Sequence, residues 1–191
     1  MTLIDAINWP HPLVKQAWDD DVYPSGVTEP WVQQAVAALL VASGQTSVLE
    51  LGSYLGLTTA WLACALQRMG GGILTTVELE PERIHHTMTL LAEIEIDTPD
   101  VEVEVLCSDT ILLLQRTGLR PGFAWVDDDH TPAHVDEELT LLRPLMKPGG
   151  LICMHDVHGP LGLDAVCERH GGYVLRFPVL GPAGGFGVIQ L

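Results

Sequence analysis

Two short stretches concentrate side chains that can do chemistry: Trp125-Val-Asp-Asp-Asp-His130 and Met154-His-Asp-Val-His158. Carboxylates a few ångströms apart repel, and burial raises their pKa values further. A divalent cation relieves that repulsion, and carboxylate oxygens are a hard-donor match for Mg²⁺. Protonated His130 or His155 offers the other relief. If the two stretches meet, Asp127, Asp129, His130, His155 and Asp156 can polarise a substrate oxygen and move its proton. The bland reading is a solvated acidic loop in which Asp129 or Thr131 caps the next helix. Alternation along an extended chain puts Asp127 and Asp129 on one side and Asp128 on the other. His134 and His158 read as surface residues.

A second constellation lies upstream, in Glu50-Leu-Gly-Ser-Tyr-Leu-Gly-Leu-Thr58. Gly52 lets the backbone turn where a ligand lies against it, and Gly56 lets the next helix pack close to the strand. The free N–H groups of that helix start, with the Thr58 and Thr59 hydroxyls, can hold a carboxylate. Glu50 can hold an ammonium group. Together these suit an amino-acid zwitterion better than a pyrophosphate. A nicotinamide dinucleotide loop requires G-x-G-x-x-G, and the middle glycine is missing here. Glu78, in Thr76-Val-Glu-Leu-Glu-Pro81, ends the next strand, where a carboxylate can accept both hydroxyls of a ribose. Ser108 and Asp109 follow the third strand; they could meet an adenine edge, and Asp109 serves equally as a helix cap.

The elements that position these residues follow from periodicity. Strands are expected over 47–51, 73–78, 101–107, 123–127, 151–155, 173–179 and 186–191. Helices are expected over 29–42, 58–69, from Pro81 onward, 110–116, from Thr131-Pro132 onward, and 163–169. The helix after Pro81 carries Ile84, Met88 and Leu91 on one stripe, and the helix after Pro132 carries Val135, Leu139, Leu142 and Met146. The Val-Glu alternation of 101–107 marks a half-buried strand near an edge. Strands alternating with helices give a doubly wound parallel sheet with helices on both faces. The last two strands have no helix between them and form an antiparallel hairpin at one edge. The C-terminal strand ends then gather the two constellations along one side of the sheet.

The chain has 191 residues, 47% hydrophobic and 18% charged, which fits one domain with a sizeable core. Nine Lys and Arg against 25 Asp and Glu give a net charge of −16, which excludes a fold-wide basic surface for nucleic acid. The N-terminal residues carry neither the basic nor the apolar region of a secretory signal. No apolar run approaches the roughly 20 residues of a membrane span. Cys64, Cys107, Cys153 and Cys167 stand far apart in apolar stretches, as expected of buried thiols in a reducing cytoplasm. Residues 1–45 read as a helical lead-in and 46–191 as the main domain. Trp9, Trp18 and Tyr23 either pack the lead-in onto that domain or form an aromatic lid.

In order and spacing, residues 45 to 191 resemble the class I S-adenosylmethionine-dependent methyltransferases. VLELGSYLGLTTAWLA is similar to their first motif and TTVELEPER to the acidic motif after it. The resemblance implies a Rossmann-like α/β fold with seven strands, the last reversed. It implies cofactor contacts from Glu50, Gly52, Ser53, Tyr54, Gly56 and Thr58 at the methionine end, Glu78 at the ribose, Ser108 and Asp109 near the adenine, and Asp127. The stretch WVDDDHTPAHVDEELTLLRPLMKPGGLICMHDV resembles the cation-dependent O-methyltransferases, closest to the sugar and antibiotic-tailoring group and related to the catechol-type enzymes. By that resemblance Asp127 and Asp156 bind Mg²⁺, His155 is a third ligand, and Asp129 is the general base. The catechol-type relatives place a lysine base where this chain has His130. Two departures stand out: Asp128 replaces a usual glycine and can add a stray ligand, and His155 replaces an oxygen donor, which suits a transition ion. The expected activity is methyl transfer to a hydroxyl of a small molecule, with dimerisation in keeping with the family's habits. Metal-independent N- or carboxyl-methylation, or a catalytically inactive binding module, are the alternatives on the same fold.

Overall fold

The computed structural model describes residues 28–94, 100–157, 161–176 and 185–191. In chain order the elements are α1 (Pro30–Ser43), β1 (Ser47–Leu51), α2 (Leu57–Met69), β2 (Gly72–Glu78), α3 (Pro81–Glu93), β3 (Val101–Cys107), α4 (Thr110–Arg116), β4 (Phe123–Val126), α5 (Pro132–Leu142), β5 (Leu151–Met154), α6 (Leu163–Arg169), β6 (Tyr173–Arg176) and β7 (Gly185–Gln190). The seven strands form one sheet in the order β3-β2-β1-β4-β5-β7-β6. β7 runs antiparallel to both β5 and β6, and every other pairing is parallel. The expected Rossmann-like architecture with its reversed last strand is therefore present.

Strand alternation sorts the core into two layers. Phe123 and Trp125 of β4 pack with Val36 and Leu40 of α1 and Trp61 and Leu62 of α2. Ala124 and Val126 face the other way, toward Leu139 and Leu142 of α5 and Val166 of α6. On β1, Val48 belongs to the first layer, and Leu49 and Leu51 to the second. Helix α1 thus shares the main core. Trp9, Trp18 and Tyr23 lie outside the described residues.

β3 alternates between half-buried and exposed positions at its sheet edge, as its Val-Glu pattern requires. The α5 stripe is buried throughout. The α3 stripe needs correcting: Met88 is 57% exposed, and Thr87 and Leu90 face inward instead. The small Thr87 is what the glycine loop requires there. Gly56 has φ +86°, and a Cβ on it would lie 2.7 Å from Thr87 Cα. The expectation of uniformly buried cysteines also fails, since Cys107 is exposed on the edge strand while Cys64, Cys153 and Cys167 are buried.

Gly56→Ala combines a left-handed backbone with an overlap on α3. Gly70, at φ +94°, has nothing within 4 Å of a built Cβ. We expect Gly70→Ala to lose about 1 kcal/mol of stability and Gly56→Ala to lose about 1–3 kcal/mol more. Urea midpoints at unchanged slope measure both; equal losses would mean that packing at Gly56 contributes nothing.

Candidate functional site

The C-terminal ends of β1, β2, β4 and β5 open into a cavity of about 770 Å³. Its first wall is the turn after β1. Gly52, at φ +88°, lies so close to β4 that a Cβ would come within 2.4 Å of the Asp127 carbonyl oxygen. The Gly52 and Ser53 amides both donate to Val77 O. Tyr54, held at φ 49°, turns its own amide toward Glu78. A non-glycine residue in this region costs roughly 1 kcal/mol or more and persists only where its surroundings impose it.

Glu78 is 5% exposed, and its carboxylate is fixed from several sides. Oε2 accepts the Tyr54 amide at 2.9 Å, and Oε1 accepts the amides of Leu79 at 2.9 Å and Glu80 at 3.0 Å. Arg83 stands 3.5 Å from Oε1 and stacks on the Tyr54 ring, 5.0 Å from its centroid. A carboxylate oxygen can accept about two bonds, so Oε2 keeps capacity for a ligand hydroxyl. Ser53, Tyr54, Thr58, Ser108 and Asp109 also line the cavity. Asp109 accepts the Leu112 amide at 2.8 Å as the N-cap of α4.

Glu50 lies elsewhere. It is on the α2 side of β1, wholly buried and absent from the cavity wall. Its Oε2 accepts the Thr59 and Thr76 hydroxyls at 2.6 Å each, and its Oε1 has no hydrogen-bond partner among the described residues. Burial pushes its pKa up to about 7. Thr59 is likewise committed to Glu50 and wholly buried. Of the two threonine hydroxyls read as carboxylate holders, Thr58 alone lines the cavity.

The opposite wall is the acidic cluster. His155 is 8% exposed and donates to two carboxylates, Nδ1 to Asp127 Oδ1 at 2.9 Å and Nε2 to Glu29 Oε2 at 3.0 Å. Asp127 also accepts His130 Nε2 at 3.2 Å and the Thr28 hydroxyl at 2.6 Å. Asp156, in a left-handed conformation at φ 48°, lies 3.6 Å from His130 and 3.7 Å from His155. Burial alone would raise Asp127; the His155 charge and the bonds from His130, His155 and Thr28 outweigh it and hold its pKa far below the ordinary range. Burial alone would lower His155, but Asp127 and Glu29 raise it well above an ordinary histidine. The bond to Asp127 raises His130 too. Burial raises Asp156.

Asp129 is exposed on the cavity rim, where the Thr131 amide at 2.8 Å lowers its pKa. Asp128 points away from Asp127, accepting the Thr110 hydroxyl at 2.8 Å and His134 Nε2 at 3.0 Å. His134 is therefore half-buried and paired, contrary to the expectation of a surface residue; His158 lies outside the described residues. Sequence reasoning missed Thr28 and Glu29 altogether. They meet Asp127 and His155 across 99 and 126 positions, and no local motif announces them.

A family model described as a methyltransferase domain matches residues 49–157. A "probable O-methyltransferase" of Mycobacterium tuberculosis is 26% identical over 132 residues, covering 69% of this chain and 56% of that protein. The chain therefore spans little more than half the length of the curated relatives it matches. Among solved structures, the fold is similar to the O-methyltransferase TomG of Streptomyces achromogenes in complex with S-adenosylmethionine. The TM-score is 0.69 at 22% identity, covering 93% of this chain and 87% of that one. It is also similar to an O-methyltransferase of Bacillus cereus in complex with S-adenosylhomocysteine, with TM-score 0.68 at 21% identity, covering 94% and 88%.

The buried Glu50 predicts a pH signature. Its folded pKa of about 7 exceeds the ordinary 4.5, so the folded chain retains a proton that the unfolded chain releases. Stability falls as pH rises through that window. Glu50→Gln removes the effect and is expected to gain up to ~3 kcal/mol over the parent chain at pH 8, with little difference below the unfolded pKa. Urea unfolding at both pH values measures it; the same difference at both would show that Glu50 does not titrate upward.

Proposed function

The chain belongs to the methyltransferase-domain family, and from that premise we propose that it moves the methyl group of S-adenosylmethionine to a hydroxyl of a small molecule such as a sugar or a catechol. One observation carries the reading. A single cavity joins a wall built from the glycine turn and Glu78 to a cluster of acids and imidazoles. Glu78 would accept one ribose hydroxyl through Oε2. Leu79, 61% exposed on the same wall, offers an apolar face to a purine ring. Thr58 and the first amides of α2 would meet the methionine carboxylate.

Asp127, His130 and His155 each present one ligand atom, and all three atoms lie within 4.8 Å of one another, so the donor set fits a divalent ion. One carboxylate with two imidazoles suits a transition ion better than Mg²⁺, and Asp156 stands ready as a further oxygen donor. When bound, such an ion supplies Lewis acidity that lowers the pKa of a substrate hydroxyl. Asp129 would take the proton: it lines the cavity, and the Thr131 amide favours its ionised form. His130 is the less available base, because Asp127 favours its protonated form, which has no free lone pair to take a proton. Holding both reactants in one line between these walls would supply much of the rate.

Transfer of labelled methyl from S-adenosylmethionine to a panel of sugars and catechols, with and without EDTA and added Mn²⁺ or Mg²⁺, tests the proposal. Asp129→Asn is expected to lower kcat by about 10²–10³ without changing the Kd of S-adenosylmethionine. Glu78→Ala is expected to weaken that Kd by at least about tenfold, on the order of one lost charge-assisted hydrogen bond. Unchanged binding in Glu78→Ala would refute the nucleoside placement. Full turnover in Asp129→Asn would remove the assigned base, and undiminished turnover in EDTA would remove the cation.

A further inference from the structure

A second set of ligating side chains lies beside the first and has no part in the chemistry above. Asp128, on the loop after β4, places Oδ2 3.0 Å from His134 Nε2, and His134 Nε2 lies 3.4 Å from Glu138 Oε1. His134 and Glu138 are one turn apart on α5, so they share a face. The three ligand atoms all lie within 4.8 Å of one another. An ion with metal–ligand bonds near ~2.0–2.1 Å in tetrahedral geometry spaces its ligand atoms roughly 3.3 Å apart, so two of the separations already match.

An independent observation points to a missing ligand. Glu138 is 0% exposed; its Oε2 has no hydrogen-bond partner among the described residues, its Oε1 has only the 3.4 Å contact with His134 Nε2, and Asp128 Oδ1 is without a partner as well. Native proteins rarely bury a carboxylate without donors. The one imidazole nitrogen here is shared between two acids and cannot satisfy both. It raises no such difficulty if the centre of the cluster holds a positive charge that all three groups face.

We propose that Asp128, His134 and Glu138 bind a divalent transition ion of the Zn²⁺ or Mn²⁺ class, at a site separate from the Asp127–His130–His155 group. Two carboxylates and one imidazole are a ligand set for such ions. The Thr110 hydroxyl stands among these groups, 2.8 Å from Asp128 Oδ2 and 3.3 Å from His134 Nε2, and is a further oxygen donor for the ion. Asp128 and His134 border the cavity, so a fourth position is open to water. The ion ties α5 and the start of α4 to the loop carrying Asp127 and Asp129, and so fixes the wall on which those side chains stand.

Equilibrium dialysis and visible absorption with Co²⁺ as the probe test this without reference to methyl transfer. The unaltered chain should bind one equivalent more than Glu138→Gln, a nearly isosteric change. A chain carrying Asp127→Ala and His155→Ala should still bind one equivalent, with the d–d bands of a nitrogen–oxygen site. Adding Glu138→Gln or His134→Ala to it should abolish that binding or weaken it at least tenfold. Zn²⁺ should raise the Tm of the unaltered chain more than that of Glu138→Gln. Equal stoichiometry in the unaltered chain and Glu138→Gln, or no Co²⁺ in the Asp127→Ala/His155→Ala chain while it remains folded by circular dichroism, overturns the proposal. Failure of methyl transfer alone leaves these readouts standing, so the two ideas fail separately.

Discussion

The site depends on a close approach of two pieces of backbone. Gly52 lies against the Asp127 carbonyl with no room for a Cβ between them. β1 and β4 are neighbours in the sheet, yet the chain lays down β2 and β3 on one side of β1 before returning to β4 on the other. Their C-terminal ends therefore diverge into a crevice, the usual ligand position in an open α/β sheet. A side chain at Gly52 would push the turn off β4 and separate the Glu78 wall from the Asp127 wall. The left-handed Tyr54 and Asp156 flank the same crevice. The backbone conformations that are costly elsewhere are gathered where a ligand would sit.

Electrostatics impose the second constraint. The chain carries a net charge of −16, and its cavity draws acids from five separate segments. His155 makes this tolerable. It stands between Asp127 and Glu29, with Asp156 beside it, and its own burial penalty is outweighed by those carboxylates. Thr28 and His130 complete the shell around Asp127. The imidazoles supply the compensating charge that an ion would otherwise bring, and a cation entering this cluster competes with their protons.

Much of this was legible in the residues because it is local. The 3.6-residue stripe of α5, the Val-Glu alternation of β3, the Asp109 cap and the acid ending β2 are each written within a few positions, and each appears in the structure as read. What escaped depends on neighbours that no window contains. Glu50 ends beside Thr76 of β2 and Thr59 of α2 because the register pairs Glu50 with Thr76 and that face of β1 meets α2. Its type suggested a ligand for an ammonium group; its face makes it a buried acid. Met88 fitted a helical stripe, but α3 is rotated so that Thr87, small enough for Gly56, faces inward. Thr28 and Glu29 enter the cluster through the path of the chain into α1.

The run Asp127-Asp128-Asp129 shows how three adjacent like charges become compatible with a folded state. Successive side chains leave an extended backbone in opposite directions, so the peptide chain itself separates them. Asp127 enters the imidazole cluster, Asp128 turns to Thr110 and His134, and Asp129 stays exposed and holds the Thr131 amide. Each carboxylate meets donors of its own: imidazoles and a hydroxyl, a hydroxyl and an imidazole, and a backbone amide. The same alternation keeps the two candidate ion clusters apart, since His130 approaches Asp127 while His134, four positions on, approaches Asp128. A one-residue change of register at the end of β4 would exchange these environments, placing Asp128 among the imidazoles and Asp127 against α5. The Asp127 amide is bonded to Leu51 O, and the His155 amide to Val126 O, so the sheet fixes that register from both sides. The chemistry available to each acid is thus decided by strand pairing before any ligand arrives.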